Sequence, residues 1–232
     1  MSFKGFQVAV DGPVGSGKTT VARLTAEKTG FLYVDTGAMY RAVALYAVKN
    51  GVSLKNEEAV CGLLAHVDLS LNIVEGVQNI FLNGQNVTGD IRTEEVSMAA
   101  SAVAKFKCVR EMLVDLQRKI ASDNNVIMDG RDIGTNVLPD AQVKIYLDAN
   151  VDARAKRRLF ELAAKDLPAD FDDVLKELIV RDHDDITRTE SPLIKADDAV
   201  LIDTSDMQID QVVETITGMI RDRGGLGAGG LN

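Results

Sequence analysis

The sequence predicts an α/β fold, in which a parallel sheet is flanked by helices and carries a small antiparallel three-stranded insertion and a short helical lid. Short apolar runs alternate with helical patterns along most of the chain, which is typical of parallel strands covered on both faces. Strict alternation of apolar and polar residues is confined to one stretch, which indicates the antiparallel insertion. A glycine-rich loop joins the first predicted strand directly to the first predicted helix.

The N-terminal elements follow from these patterns. Phe6–Val10 is an apolar run without alternation, which predicts a buried strand. Apolar residues then recur at helical spacing from Val21 until Gly30, a residue well suited to end a helix. Phe31–Val34 predicts a second buried strand, and the apolar stripe that follows predicts a helix over about 38–49.

The insertion has the pattern of an antiparallel sheet. Apolar and polar residues alternate from Val67 to Ile73, as in a strand with one face in water. Ile80–Leu82 and Gln85–Val87 flank Asn83-Gly84, a strong signal for a two-residue hairpin turn. We therefore expect a small sheet within about 63–92.

The rest of the chain returns to alternating elements. The expected helices are 94–105, 108–122, 151–165 and 171–188, and the expected strands are Val126–Met128, Val143–Leu147 and Ala199–Ile202. We assign 1–35, 107–148 and 190–223 to the core, 36–106 to the region containing the insertion, 149–189 to the lid with its flanking helices, and 224–232 to a flexible glycine-rich tail.

Composition excludes several classes of function. The net charge of −9 disfavours binding to nucleic acid polymers or to anionic membranes. The longest apolar run, Ala42–Val48, is too short to span a membrane, and Met1–Gly5 lacks the apolar stretch of a signal peptide, so we expect a cytoplasmic protein. Cys61 and Cys108 have no metal-site spacing, and we expect buried thiols rather than a disulfide.

The glycine-rich loop matches the Walker A pattern GxxxxGK[ST] in full, from Gly12 to Thr19. Backbone N–H groups of such a loop surround phosphate oxygens at the positive end of the following helix. Lys18 would reach the transferred phosphate of ATP, and the Thr19 hydroxyl would bind Mg²⁺. The fold class is therefore that of the P-loop NTPases. The predicted ATP-binding residues are Gly12, Pro13, Val14, Gly15, Ser16, Gly17, Lys18, Thr19 and Thr20.

A P-loop does not identify the phosphate acceptor, because switch GTPases, motor ATPases and small-molecule kinases share it. Four charged segments offer candidates: Asp35–Arg41, Asp129–Gly134, Arg154–Arg158 and Arg181–Arg188. The first two follow predicted strands, where α/β sheets open onto a ligand crevice. The alternatives are, in chain order, a surface arginine, a helix cap, an exposed basic helix face and a solvated salt-bridge ladder.

Five motifs in this order and spacing resemble the bacterial cytidylate kinases: DGPVGSGKTT, YVDTGAMYRA, IRTEEVS, DGRDIGT and RDHDDITRTESPL. The resemblance extends to about residue 220. It implies a P-loop core, an inserted monophosphate-binding region and a short lid. It also implies transfer of a phosphoryl group from ATP, with Mg²⁺, to CMP and dCMP. We expect a monomer.

The resemblance also implies roles for individual residues. Ser101, Arg110 and Asp132 would read the cytosine base, and Arg181 and Asp185 would hold the sugar. Thr36, where many relatives carry serine, belongs to the CMP site. The residues implied in catalysis are Lys18, Arg41, Arg131 and Arg188, of which the three arginines grip the acceptor phosphate, together with Arg157 and Arg158 on the lid.

Two other functions stay open at this point. One is a P-loop kinase for another small acceptor, such as UMP or shikimate. The other is a nucleotide-gated regulatory NTPase, although the chain has no NKxD motif for guanine.

Overall fold

The computed structural model describes residues 5–74, 77–164 and 166–226. Contacts divide the chain into two compact units. The first contains the residues up to Tyr33 and those from Asn124 onward, and the second is Val34–Asp123.

The first unit is built on a five-stranded sheet. Its strands, numbered along the chain, are β1 (Gln7–Asp11), β2 (Leu32–Asp35, which ends in the second unit), β6 (Val126–Gly130), β7 (Val143–Asp148) and β8 (Val200–Asp203). They lie in the order β2-β6-β1-β7-β8, and the pairs β1–β6, β1–β7 and β7–β8 are parallel. The helices of this unit are α1 (Lys18–Thr29), α6 (Val151–Ala163), α7 (Phe171–Thr187) and α8 (Ile209–Asp222).

The core of the first unit lies between this sheet and its helices. Val8 and Ile145 from the sheet pack in one buried cluster with Val21 of α1 and Ile216 of α8. Burial of aliphatic side chains of this size contributes about 1.5–3 kcal/mol each. The predicted parallel α/β fold is confirmed.

The second unit contains the antiparallel insertion. Its elements are α2 (Thr36–Lys49), α3 (Glu57–Leu63) with a 3₁₀ turn over Leu64–His66, β3 (Leu69–Val74), β4 (Val77–Leu82), β5 (Gln85–Asn86), α4 (Glu94–Val103) and α5 (Lys107–Asp123). The three strands pair in the order β3-β4-β5, antiparallel throughout. Asn83 and Gly84 have φ of 50° and 78°, as the predicted two-residue turn requires. The predicted three-stranded insertion is confirmed.

Element ends follow local chemistry, but two helices were not predicted. Gly30 ends α1 with φ of 73° and donates its N–H to the Ala26 carbonyl, as expected. The two unpredicted helices are α3, which begins after an Asn56 side-chain cap, and α8. The buried positions of α8 recur at helical spacing, so the signal for that helix was present in the sequence.

One region differs from the sequence-based division. Contacts group α5 with the second unit, whereas the sequence analysis placed residues 107–123 in the core. At the start of the expected tail, Gly225 donates its N–H to the Ile220 carbonyl and Leu226 packs on the first core. Residues 227–232 of the expected tail lie outside the described residues.

The prediction for the cysteines was wrong. Cys61 of α3 and Cys108 of α5 form a disulfide, with their Cα atoms 5.9 Å apart. They are 47 residues apart in the chain, and only the packing of the helices brings them together. Local spacing carries no signal for such a pair.

Reduction of this disulfide is expected to lower the free energy of unfolding of the second unit by about 2–4 kcal/mol, because the reduced unfolded chain gains conformational freedom. The measurement is urea unfolding with and without a thiol reductant. A double Cys61→Ser, Cys108→Ser variant serves as the control and should not respond to the reductant. Equal unfolding midpoints for the oxidised and reduced chain would contradict the prediction.

Over the three stretches of chain that the structure describes, no helix is both long and apolar enough to cross a membrane.

Candidate active site

The glycine-rich loop connects β1 to α1 at the carboxyl end of the sheet. Gly12, Gly15 and Gly17 have φ of 148°, 76° and 90°, a backbone region that disfavours residues with a Cβ. A Cβ on Gly12 would lie 2.0 Å from the Leu147 carbonyl oxygen. The loop therefore has the tight path that a phosphate-binding loop needs, and residues 12–20 run from it into the first turn of α1.

Lys18 is the first residue of α1 and is buried. Its Nζ donates a hydrogen bond of 2.6 Å to the Pro13 carbonyl and approaches Ser16 Oγ at 3.4 Å. Burial, and next the positive charge of Arg131, lower the pKa of Lys18 well below its ordinary value. The ammonium is thus held inside the loop at a cost that a phosphate anion would offset.

Thr19 faces a carboxylate that the sequence analysis left out of its site. The Thr19 hydroxyl donates to Asp129 Oδ2 at 2.8 Å, and the Tyr33 hydroxyl donates to Asp129 Oδ1 at 2.9 Å. Asp129 is the residue before the last of β6, next to β1, so its position near the crevice edge was a signal for it. A hydroxyl beside a carboxylate is a donor set that suits Mg²⁺.

Within the described ranges, no group of three or more His, Cys, Asp or Glu side chains could hold a metal ion. The role of Thr19 as a ligand of Mg²⁺ stays a prediction.

A second charged cluster lies in the same unit as the P-loop. Arg131 Nε donates to Asp185 Oδ2 at 2.6 Å. Arg188 NH1 lies 3.8 Å from Asp185 Oδ1, and its NH2 lies 3.7 Å from Asp132 Oδ1. The loop after β6 and the C-terminal end of α7 thus bring together four of the predicted acceptor residues. We call Arg131, Asp132, Asp185 and Arg188 the acceptor cluster.

The charges of the acceptor cluster support one another and act on Lys18. Burial raises the pKa of Asp185, but the charge and hydrogen bond of Arg131 outweigh it, so the pKa is lowered. Burial likewise lowers the pKa of Arg131, and Asp185 reverses this to a raised pKa. The negative charges of Asp129 and Asp185 act on Lys18 against the effect of Arg131. Two members of the acceptor cluster, Arg131 and Asp185, therefore act electrostatically on Lys18.

Arg181 does not join the acceptor cluster in this structure. Its NH1 lies 3.5 Å from Glu177 Oε1, one turn earlier on α7, and the side chain is partly exposed. The helical spacing predicts that Arg181 shares a face of α7 with Asp185. Glu177 lies one turn earlier on the same helix and pairs with Arg181 instead.

The arginines of the predicted lid divide into three environments. Arg157 donates to the Thr204 hydroxyl at 3.1 Å, and that hydroxyl donates to the Ser16 carbonyl of the P-loop. Arg158 lies 3.4 Å from Glu161 on the surface of α6. Arg154, the first residue of the candidate segment Arg154–Arg158, is buried, donates to the Val14 carbonyl and forms a two-bond pair with Asp182.

In the second unit, Asp35 holds two arginines. Its Oδ1 caps α2 by accepting from the Ala38 N–H at 2.8 Å. Its Oδ2 accepts from Arg41 NH2 at 2.9 Å and lies 3.6 Å from Arg92 NH2. The Arg41 Nε is buried without a hydrogen-bond partner in the described part of the chain, and the predicted substrate residue Thr36 is buried beside Asp35. Two guanidinium groups on one carboxylate leave a net positive charge.

The predicted base-reading residues of the second unit lie on two helices. Arg110 of α5 is buried, and its guanidinium carbon lies 5.5 Å from the centre of the Tyr40 ring. Its NH1 donates to the Ala104 carbonyl at 3.3 Å. Ser101 of α4 is exposed, and its hydroxyl donates to the Ser97 carbonyl at 3.4 Å.

Comparison with known proteins shows the family of this chain. The family model for cytidylate kinase matches residues 8–222. The chain is 48% identical to the cytidylate kinase of Shouchella clausii over 219 residues, covering 94% of this chain and 97% of that one. It is also 48% identical to the cytidylate kinase of Leuconostoc mesenteroides, with the same coverage of both chains.

The fold also recurs in a solved structure. An uncharacterized protein from Eubacterium ventriosum superposes with a TM-score of 0.53 at 13% identity, covering 93% of this chain and 98% of that one. This likeness concerns the fold alone. The match of the family model across almost the whole chain, together with the two close relatives, establishes that the chain belongs to the cytidylate kinase family.

Proposed function

We propose that this protein transfers the γ-phosphoryl group of ATP to CMP and dCMP, giving ADP and CDP or dCDP. The observation that carries the proposal is the acceptor cluster, in which two arginines and two carboxylates lie within 4 Å of one another. Arg131 and Asp185 of this cluster also act electrostatically on the P-loop lysine. The choice of CMP and dCMP as the phosphate acceptors rests on membership of the cytidylate kinase family.

ATP would bind to the loop of residues 12–17 and to the first turn of α1. Backbone N–H groups would hold the phosphates, and Lys18 would exchange its bond to the Pro13 carbonyl for a phosphate oxygen. Thr19, positioned by Asp129, would hold Mg²⁺. When bound, Mg²⁺ supplies positive charge that neutralises the transferring phosphate.

We propose that Arg131, Arg188 and Arg41 bind the acceptor phosphate. The free Nε of Arg41 supports this role. Thr36 would complete the phosphate site, and Arg181 and Asp185 would bind the sugar.

We further propose that residues 36–106 act as the monophosphate-binding region and 149–189 as the lid. Arg157 and Arg158 would reach the transferring phosphate only when the lid closes, because each now has a partner elsewhere. The protein would act as a cytoplasmic monomer.

The chain needs no protein nucleophile for this reaction. A phosphate monoester is largely ionised at neutral pH, since its second pKa is about 6, so it attacks with little help from a general base. Catalysis would then come from positioning the two phosphates in line and neutralising their charge. Lys18 and the three acceptor arginines supply that charge.

Base discrimination is proposed to depend on Asp132, with Ser101 and Arg110. Cytosine presents an exocyclic amino group, which a carboxylate accepts, whereas uracil presents a carbonyl at the same position. Uracil would therefore place an acceptor against the Asp132 carboxylate. Such mismatches reduce specificity constants strongly, because buried polar groups remain unpaired.

An acceptor panel tests the proposal. ADP release is followed in a coupled assay with CMP, dCMP, UMP, AMP and shikimate as acceptors. We expect kcat/KM for CMP or dCMP to exceed that for UMP by about 100-fold or more. A higher kcat/KM for UMP or shikimate would assign the other kinase activity, and ADP release that no acceptor accelerates would assign a regulatory NTPase.

A further inference from the structure

Asp11 is a buried carboxylate that the mechanism above does not use. It is the last residue of β1, directly before the first glycine of the P-loop, and its exposed fraction is 4%. Its Oδ1 accepts from the Ile133 N–H at 2.8 Å, and its Oδ2 accepts from the Gly134 N–H at 2.7 Å. Both donors lie more than 120 residues away in the chain.

These two donors belong to the loop that carries part of the acceptor cluster. Arg131 and Asp132 come directly before Ile133, which begins a short helical turn over Ile133–Val137. The first N–H groups of a helical turn have no partner within it. The Asp11 carboxylate supplies that partner and thereby fixes where the turn begins.

Gly134 packs closely against Asp11. A Cβ at this position would lie 3.4 Å from Asp11 Oδ2, an ordinary contact, and 3.3 Å from Lys144 Cδ, which would have to move by a few tenths of an ångström. The β1–β6 register places Asp11 opposite Gly130, so the loop leaves the sheet beside Asp11. Four residues later, the Gly134 N–H again contacts the Asp11 carboxylate. One carboxylate therefore joins the start of the P-loop to the loop of Arg131 and Asp132.

Burial and nearby charges act on the Asp11 carboxylate in opposite directions. Burial raises the pKa of Asp11 to about 6, although both backbone hydrogen bonds lower it, and the nearby Asp132 raises it further. Lys18 lowers it, and the Asp11 charge also acts on Arg131 and Tyr146. Burying a carboxylate costs free energy, and the two backbone hydrogen bonds and the charge of Lys18 offset only part of that cost at Asp11.

We propose that Asp11 is a positioning residue that holds the loop of Arg131 and Asp132 in a fixed place relative to the P-loop, so that donor and acceptor phosphates meet in line. This inference rests on the proposed phosphotransfer function. Asp11 touches neither phosphate; it acts through the backbone of Ile133 and Gly134. Small displacements of an acceptor group are enough to lower the rate of transfer strongly.

Asp11→Asn is the decisive variant, because it keeps the shape and one acceptor but places an amide donor against a backbone N–H. We expect kcat/KM for CMP to fall about 30-fold or more, and KM for ATP to change less than about threefold. The matched control is Asp203→Asn, which also alters a strand-end carboxylate of the sheet. Asp203 is exposed and accepts from the N–H and the hydroxyl of Ser205, and its variant should keep wild-type kinetics.

A pH profile separates positioning from support of the fold. We expect the ratio of wild-type to Asp11→Asn kcat/KM to decrease as pH falls through about 6, since protonation of Asp11 weakens the same two hydrogen bonds. The ionisation of CMP cancels in this ratio. A ratio that stays constant with pH, or losses that follow a lowered melting temperature and affect ATP and CMP equally, would overturn the proposal.

If the Asp11→Asn variant does not fold, a measurement on the wild-type protein tests the proposal instead. The amide proton resonances of Ile133 and Gly134 should shift together as pH falls through about 6, in step with the Asp11 carboxyl carbon. Independent titration of the two amides would contradict the proposal. If the acceptor panel selects another acceptor, the same kinetic comparison is made with that acceptor, so failure of the proposed function and failure of this inference remain distinguishable.

Discussion

Replacing Lys18 with alanine is expected to lower kcat for CMP about a thousandfold while the fold stays intact. The lysine is buried inside the phosphate loop, and its charge would stabilise the transferring phosphate where little water competes. Steady-state kinetics at saturating ATP and CMP give the measurement.

The direction of the pKa shift of Lys18 predicts that the Lys18→Ala variant stays folded. Because burial lowers the pKa of Lys18, the folded chain holds this proton less tightly than the unfolded chain. The burial of protonated Lys18 therefore lowers the free energy of unfolding at neutral pH. This destabilisation decreases as pH rises toward the ordinary lysine pKa. Alanine removes that cost, so the free energy of unfolding at pH 7 should not fall by more than about 1 kcal/mol.

The matched control is Arg23→Ala, an exposed cation on α1 that pairs with Glu27. It should keep wild-type kinetics. Turnover of Lys18→Ala within a factor of three of wild type would remove Lys18 from the mechanism.

Arg188→Ala is expected to lower kcat/KM for CMP by about a thousandfold. Arg188 ends α7, its Nε donates to the Ser191 carbonyl at 2.8 Å, and its guanidinium lies within 4 Å of Asp132 and Asp185. Without it the acceptor phosphate loses a forked donor and meets the uncompensated charge of Asp132. KM for CMP should rise as kcat falls, whereas KM for ATP should change little.

Two companion variants locate the effect. Arg188→Lys keeps the charge but not the forked geometry, so it should recover part of the loss. Arg221→Ala removes an exposed cation from the last turn of α8 and should have no effect. A loss in Arg188→Ala that is the same for ATP and CMP would mean that the arginine supports only the fold.

Much of the fold could be predicted because its signals are local. The P-loop glycines, the Gly30 cap and the Asn83-Gly84 turn each need a backbone conformation that few residues adopt. The parallel strands were recognisable because burial on both faces leaves continuous apolar runs. Helix α8 was missed although its buried positions are periodic, so the signal existed and was not used.

The candidate site was predicted only as far as local pattern reaches. The helical spacing of Asp185 and Arg188, and the strand-end position of Arg131, correctly indicated neighbours. The contact of Thr19 with Asp129, the burial of Arg154 and the Cys61–Cys108 disulfide depend on how distant segments pack. Arg181 shows the same limit, since its spacing fits Asp185 but a nearer glutamate competes for it.

The central claim is that the P-loop and the acceptor cluster form one phosphotransfer system. Incubation of the wild-type protein with [γ-³²P]ATP and Mg²⁺, with and without CMP, tests it most directly when the products are separated by chromatography. The account predicts that the label appears in CDP, and that little inorganic phosphate forms when CMP is absent. Label released as inorganic phosphate at the same rate with and without CMP would contradict it.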